Sequence, residues 1–556
     1  MTCWQSFKST GTHGDVIEQL NTASAEEISE RRQYLQRIVS VITFLGKQNI
    51  PFRGHDEQET SNNQGNFLEC MKLLKNFDPF LKKYSPPKNA TYLSHPSQNE
   101  IISSIAQEIT ENITKQIRSS TMYSVMADEA RDHHTEQLAV CVRFVTMEGS
   151  LREAFLGLHK LEKFDAKSIA DGIEAVLQSH NLGDLKCVAQ TYDGASVMSG
   201  AVGGVQAYFK ERHPEAVYVH CYAHELNLVL CHTCKAIPEA AAFFDLLENI
   251  YTCFSNSLIN HNKFIEIQKQ LGLQPSELVQ LSNTRWASQV RSVKAVMNNL
   301  PAILACLRTM KTATAQRILS NLCKPKTIYM LVMFAKLLMI TEGFHRYLQG
   351  ESVDVSRAVL YKTAIIETLT DFRTSSSVED LFKSAMTICE ENHIQLPVGP
   401  RKKQKIMDDF VVESACGATS ILTTPDEFRS QLFYPCLDRM IQELTHRFSD
   451  LGEELMSGIQ ACNPTTSTFL SEQALKGLAN HYGIKLMQEE LLVAKHVVKK
   501  WLEKERDKTT PNTATEDNQR LDIATVFRIL DREMFPTLKA ILQVALTIPI
   551  SSCNCE

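Results

Sequence analysis

Two aspartates closely follow short apolar runs, which is where α/β proteins often place their chemistry. Asp193 comes after the run at 186–189 and precedes the small residues Gly-Ala-Ser, which suit a strand that stops and turns into a helix. Asp128 directly follows a second apolar run at 122–127. A carboxylate at a strand end can act in a binding or active site, but it can also cap the next helix. For Asp193 the local sequence leaves both interpretations open.

Cysteine and histidine residues recur in the stretch that follows, with the spacing C-x₂-H-x₆-C-x₂-C. They are Cys221, His224, Cys231 and Cys234. Similar spacings occur in zinc sites. However, residues 225–230 have the pattern of a helix, and four ligands on one continuous helix cannot converge on a tetrahedral ion. The sequence therefore argues against zinc here.

The overall composition limits the classes of partner. The 556 residues include 58 basic and 64 acidic side chains, for a net charge of −6, so any contact with nucleic acid must use local basic patches. The best cluster is 401–405, which suits a nuclear localisation signal or a phosphate contact, although a solvated loop is the commoner meaning of so short a run. The 16 scattered cysteines favour free thiols in a reducing compartment.

The longest apolar runs predict a core helix. The runs at 328–335 and 337–340 are separated by Lys336 and are too short for a bilayer, so we predict one buried helix there. No targeting peptide is visible. We expect neither a membrane partner nor a small-molecule substrate.

The periodicity changes along the chain and predicts an α/β protein with large helical regions. Helices are predicted at 25–48, 66–84, 97–119 and 166–180, and strands at 122–127, 137–145, 151–158, 186–189 and 216–219. From residue 286 to about 505 the pattern is helical, and two last helices are predicted at 521–530 and 535–546.

Short blocks in a fixed order resemble the hAT superfamily of DNA transposases, in the branch of zinc finger MYM-type protein 1. The blocks are NIPFRG at 49–54, GNF at 65–67, MADEARD at 126–132, EQLAVCVRFV at 136–145, EAFLGL at 153–158, YDGASVMSG at 192–200, VHCYAHELNLVL at 219–230, TRW at 284–286 and FYPCLDRMIQELTHRF at 433–448. The resemblance covers nearly the whole chain.

The resemblance implies a specific architecture. We expect a ribonuclease-H-like α/β catalytic core that is interrupted by a large all-helical insertion and preceded by a helical N-terminal region. The implied domains are the helical region at 1–120, the core at 121–285, the insertion at 286–530 and a return to the core at 531–556, where the hAT dimerisation segment begins.

The resemblance also implies a metal site. Asp128, Asp193 and Glu556 match the family's three catalytic acids and would bind Mg²⁺ or Mn²⁺, which prefer oxygen ligands. A metal pair can activate the attacking hydroxyl and stabilise the leaving oxygen of a phosphodiester. The neighbouring Glu129 and Asp132 are expected to be solvated or capping carboxylates.

Two further pairs match family elements near the DNA. Cys221 and His224 correspond to a Cys-x-x-His element and are either DNA-facing or structural. Arg285 and Trp286 correspond to the pair that opens the insertion, where the indole either stacks on an exposed base or packs the insertion against the core. The family has a basic residue at the position of Glu225, so a phosphate contact is in doubt there.

The function implied is that of a nuclear, transposon-derived protein whose ancestral reaction is metal-dependent cleavage and transfer of DNA strands. Its partners would be double-stranded transposon ends and, in the full-length protein, a second copy. The family continues beyond the position of Glu556, so we interpret the chain as truncated at both ends and expect it to be inactive. The alternative is a domesticated, non-catalytic nuclear factor that binds DNA or protein.

Overall fold

A computed structural model describes residues 22–555. The gaps within that range are 59, 88–89, 133–134, 282–285, 351–352, 396–423, 449–450, 509–520 and 553–554. The chain divides into two compact units, Met1–Gln116 and Ile117–Glu556.

The first unit is helical over its described part. Its helices are α1 (Thr22–Lys47), α2 (Asn66–Phe77), α3 (Pro79–Lys83) and α4 (His95–Ser120), the last of which continues into the second unit. We predicted one helix over 66–84, and the structure has two because Pro79 starts a new helix whose first N–H groups are capped by Asp78. Apolar residues of α1 and α2, including Ile38, pack together as a separate core.

Two glycines explain why the NIPFRG and GNF blocks occur together. Gly65 has a φ of 94°, and a Cβ on it would lie 2.2 Å from the backbone nitrogen of Gly54. Phe67 donates its N–H to the carbonyl of Phe52 at 2.9 Å, and the Asn66 side chain donates to the carbonyl of Pro51 at 2.7 Å. Glycine at both positions lets the two backbone segments touch.

The second unit is built on a five-stranded mixed sheet with the strand order β3-β2-β1-β4-β5 among its described residues. The strands are β1 (Met122–Asp132), β2 (Thr135–Val145), β3 (Leu151–Lys160), β4 (Lys186–Tyr192) and β5 (Val217–His220). The first three pair antiparallel, whereas β4 pairs parallel with both β1 and β5. This sheet with its surrounding helices confirms the α/β prediction.

Helices cover both faces of the sheet. Helix α5 (Ala166–Ser179) packs on β2 and β3, with its Gly172 against His159. Helix α23 (Pro536–Thr547), the last in the chain, packs on β1, β2 and β4 on the opposite face. Because successive residues of a strand face opposite sides, a strand covered on both faces buries apolar residues on both, as β2 does with Val140 and Cys141.

Strand β1 extends further than the sequence indicated. The prediction ended at Ala127, where the apolar run ends, but β1 continues to Asp132 in antiparallel register with β2, while its pairing with β4 stops at Met126. From Ala127 onward β1 therefore pairs with β2 but no longer with β4, while β2 continues to pair with β3 as far as Gln137. Asp128 lies within the strand, not after it.

The remaining described elements are helical. Between β4 and β5 lie α6 (Ser196–Ser199) and α7 (Val205–Arg212). After β5 come α8 (Tyr222–Ala236), α9 (Pro238–Ser255), α10 (Leu258–Gln270), α11 (Trp286–Asn298), α12 (Leu300–Thr309), α13 (Ala313–Leu322), α14 (Pro325–Leu348), α15 (Val355–Asp371), α16 (Ser375–Glu391), α17 (Pro425–Phe428), a π-helical turn (Arg429–Phe433), α18 (Tyr434–Arg447), α19 (Glu453–Ala461), α20 (Glu472–His481), α21 (Gln488–Lys508) and α22 (Ile523–Ile529).

Helix α14 is the buried helix that the apolar runs predicted. It has 24 residues, longer than the sequence suggested, and among the described helices it alone is long and apolar enough to cross a membrane. However, 67% of its apolar window is buried inside the protein, as in the core helix of a folded domain. Lys336 projects to the surface while Leu337 and Leu338 are buried.

Candidate functional site

The two predicted acids lie on the adjacent central strands. Met126 of β1 is in register with Thr191 of β4 and is the last residue of β1 that pairs with β4; Asp128 and Asp193 each come two residues later, Asp128 within β1 and Asp193 directly after β4. Neighbouring strands lie about 4.8 Å apart. Both side chains are half-buried, so they are held by the sheet and still reach solvent.

Negative charge is concentrated at this end of the sheet. The side chain of Glu129 is exposed, yet partial desolvation of its carboxyl group, with the charges of Asp193 and Glu136, raises its pKa above the usual value. Neither Asp193 nor Glu129 forms an ion pair with another described residue. Uncompensated carboxylates suit a divalent cation, so Mg²⁺ or Mn²⁺ fits the chemistry of these residues.

Asp193 is not the cap of the next helix, which resolves the alternative that the sequence left open. Helix α6 begins after Ala195, and no side chain caps it. The Asp193 carboxylate accepts only the N–H of Ala195, at 3.3 Å, within its own turn. The main-chain carbonyl of Asp193 is held separately by the Tyr218 hydroxyl at 3.3 Å. The carboxylate therefore keeps acceptor capacity for a ligand.

A polar network behind Asp193 was not predicted from the sequence. The Tyr218 hydroxyl also contacts Nδ1 of His220 at 3.1 Å, and this nitrogen lies 3.6 Å from Glu225. Glu225 is buried and accepts from Arg447 at 2.8 Å. The sequence could have indicated part of this network, because the alternation of a strand places Tyr218 and His220 on the same face. Nothing in the sequence indicated that Glu225 contacts α18.

The contacts of Arg447 explain why this chain has an acid, Glu225, at a position where the family has a basic residue. Arg447 bonds Glu443 at 2.5 Å as well as Glu225, and Glu443 pairs in addition with Arg439. The half-buried guanidinium is thus bonded by two carboxylates and also contacts the ring of His232 at 3.1 Å. Glu225 serves as a partner for Arg447, and a phosphate contact at this position is not supported.

The C-x₂-H-x₆-C-x₂-C run is not a zinc site. Helix α8 runs without a break from Tyr222 to Ala236, with Cys221 as its N-cap residue, so the four side chains are spread along about 20 Å of the helix axis and cannot surround one ion. No group of three or more His, Cys, Asp or Glu side chains in the described parts of the chain is arranged to hold a metal ion. The structural interpretation therefore holds for Cys221, whose thiol is buried and bonded within the protein.

His224 lies at the candidate site. A Cβ built on Gly194 would meet Cδ2 of His224 at 3.4 Å and Nδ1 of His220 at 3.7 Å. The imidazole of His224 is half-buried. The imidazole therefore lies close to Gly194, the residue that follows Asp193.

The end of the described chain lies on the Asp128 side of the sheet. The buried Cys555 packs against Met126, Ala139 and Cys141, and Ala139 is the cross-strand partner of Asp128. Glu556, the third predicted acid, lies outside the described residues.

Three other sequence predictions also lie outside the described residues or side chains. Arg285 and the basic cluster at 401–405 are not described, and Trp286 begins α11 without a described side chain. The alternative roles of Trp286 therefore stay as predictions.

Comparisons with known proteins agree with the resemblance. Residues 1–204 match the DUF4371 family, described as the RNase-like domain of ZMYM1 and FAM200. The human protein named 52 kDa repressor of the inhibitor of the protein kinase is 24% identical over 560 residues, covering 95% of this chain and 71% of that protein. Its mouse counterpart is 24% identical over 559 residues, with the same coverage.

The family match includes β1, β4 and Asp193. The mixed sheet agrees with an RNase-like domain. The chain is therefore similar to the RNase-like domain of ZMYM1 and FAM200 over residues 1–204, and to the named human and mouse repressors over most of its length.

Proposed function

We propose that this protein carries a hAT-type site for metal-dependent cleavage and transfer of DNA strands, with Asp128, Asp193 and Glu556 as the metal ligands. The observation that supports the proposal is the parallel pairing of β1 with β4 in a mixed sheet, because Asp128 and Asp193 each come two residues after the last paired residues, Met126 and Thr191. The proposed architecture is a ribonuclease-H-like core interrupted by a helical insertion, since α23 returns to the sheet after a long helical region.

The proposed cofactor is Mg²⁺ or Mn²⁺, which would polarise a phosphodiester and activate the attacking hydroxyl. Asp128 and Asp193 would hold the ion, and the charge shared with Glu129 would favour its binding. His224 would lie along the DNA strand next to Asp193. The proposed substrate is a double-stranded transposon end, and the proposed compartment is the nucleus, where that substrate occurs.

The test is Mn²⁺-dependent nicking of labelled duplexes that carry candidate transposon ends. Asp193→Asn keeps the size of the side chain and removes its charge, so it should abolish nicking, while Asp171→Asn on the exposed side of α5 should not. Nicking that survives in both Asp193→Asn and Asp128→Asn would disprove the site.

A second candidate is a domesticated protein that binds DNA or protein and does not cut. It is favoured by the relatives, whose printed name is that of a repressor, and by the neutralisation of Arg447 next to the site. In that case the protein would bind DNA with an affinity that does not change in Asp193→Asn, and no nicking would be seen with Mn²⁺.

A further inference from the structure

The segment between α23 and Cys555 is buried although it has no regular structure. Ile548 and Ile550 are 1% and 0% exposed and belong to the main core, and Ser552 is 3% exposed. A buried irregular segment must have partners for its backbone polar groups. Those partners come from the strands and the helix of the candidate site.

Three contacts hold this segment. The Thr191 hydroxyl donates to the carbonyl of Pro549 at 3.3 Å. The N–H of Tyr222 donates to the carbonyl of Ile550 at 2.7 Å. Tyr222 is the first residue of α8, so its N–H has no partner within the helix and is available for this contact.

Cys221 makes the third contact, which is the last anchor before the gap at 553–554. The N–H of Ser552 donates to its Sγ at 3.3 Å, and the Ser551 hydroxyl lies 3.8 Å from the same atom. Three residues later, Cys555 is packed beside Met126 on the Asp128 side of the sheet. The Cys-x-x-His element thus determines where the chain approaches Asp128.

We propose that Cys221 is a positioning residue whose thiol, with the first N–H of α8, seats residues 548–552 and thereby directs the end of the chain to Asp128. This inference rests on the proposed function, because the purpose of the seat would be to deliver a third carboxylate to the metal. It assigns the cysteine of the Cys-x-x-His element to the protein's own chain and leaves His224 of that element to face the substrate.

The test compares Cys221→Ala and Cys221→Ser with the matched control Cys187→Ala. Cys187 is a similarly buried thiol of β4, and it donates to the carbonyl of Ala189 in its own strand at 3.4 Å. Amide hydrogen exchange of peptides covering 548–555 measures how firmly this segment is held. Titration with Mn²⁺, followed by electron paramagnetic resonance, measures the affinity of the protein for the ion.

We expect Cys221→Ala to speed exchange in these peptides about tenfold and to weaken Mn²⁺ binding by roughly 10-fold or more, as for other residues that orient metal ligands. Cys221→Ser should recover part of both, because its hydroxyl also accepts a hydrogen bond. Cys187→Ala should change neither the exchange of these peptides nor the binding of Mn²⁺, even if it lowers the melting temperature as much as Cys221→Ala does.

Unchanged exchange at 548–555 in Cys221→Ala, or equal changes in Cys187→Ala, would overturn the positioning role. If Mn²⁺ binds to no form of the protein, the proposed function fails, but the exchange result still decides whether Cys221 seats the segment.

Discussion

Arg143 of β2 donates a hydrogen bond of 3.0 Å from its Nε to the main-chain carbonyl of Leu546, near the end of α23. The same guanidinium bonds Glu153 at 2.8 Å and also donates to the carbonyl of Val353. Arg143 is 1% exposed. One buried cation therefore joins the sheet, the loop after α14 and the last helix.

Removing this cation should be strongly destabilising. We expect Arg143→Met to lower the free energy of unfolding by about 3–5 kcal/mol, because Glu153 and two carbonyls would be left buried without their partner. Urea unfolding would measure the loss. The exposed Arg152→Met on β3 should change stability by no more than about 0.5 kcal/mol. Equal losses in the two variants would contradict this account.

Glu129 should make stability depend on pH. Its pKa is raised in the folded protein, so the protonated form is favoured there and stability falls as pH rises through the raised pKa. Glu129→Gln should therefore match the wild type in melting temperature near pH 4 and exceed it at pH 7–8. A difference that is the same at both pH values would show that the pKa of Glu129 is not raised in the folded protein.

Mn²⁺ should reverse that comparison if the site binds metal. At pH 7.5 the ion would compensate the charges of Glu129 and Asp193, so the wild type should gain more melting temperature from Mn²⁺ than Glu129→Gln does. Ca²⁺-free buffer with EDTA provides the baseline. No gain in the wild type at millimolar Mn²⁺ would count against the proposed site.

Arg447 should matter more to stability than either of its acidic partners alone. Arg447→Met leaves both Glu225 and Glu443 buried without this cation, and we expect a loss of about 3 kcal/mol by chemical unfolding. Glu225→Gln keeps a hydrogen-bond acceptor for the guanidinium and should lose less. The order of the two losses is the test, and the reverse order would show that Arg447 is held mainly by other contacts.

Gly65 is the most sensitive glycine of the first unit. Gly65→Ala places a methyl group 2.2 Å from the Gly54 nitrogen at a φ of 94°, so the close approach of the two segments must open. We expect a loss of at least about 1 kcal/mol, seen as a lower melting temperature. Gly46→Ala, where a Cβ would meet no atom within 4 Å, is the control and should not lower it.

Local patterns predicted the elements better than their ends. The alternation at 137–145 and the helical pattern at 166–180 gave β2 and α5 to within two residues. The extension of β1 to Asp132 was missed because pairing with β2 outlasts the apolar run. The break in the helix at Asp78 was missed, although Pro79 marks it. Proline is common in the first turn of a helix, and here it begins a new helix.

The candidate site was predicted in part for a similar reason. Asp128 and Asp193 follow apolar runs and could be placed on neighbouring strands from the sequence. The link from Glu225 to Arg447 and the seat of Ser552 on Cys221 join residues separated by 222 and 331 positions. The periodicity of a sequence cannot predict such contacts, because they depend on how the helices and residues 548–552 pack on the sheet.

The bond between Arg143 and Leu546 has a consequence for synthesis of the protein. The two residues are 403 positions apart, and at ribosomal rates of 5–20 residues per second this distance takes roughly 20–80 s to translate. During that time β1, β2 and β4 have been made, but α23, which covers one face of them, has not. A nascent chain that lacks α23 therefore leaves the face of the sheet that this helix covers exposed until α23 has been made.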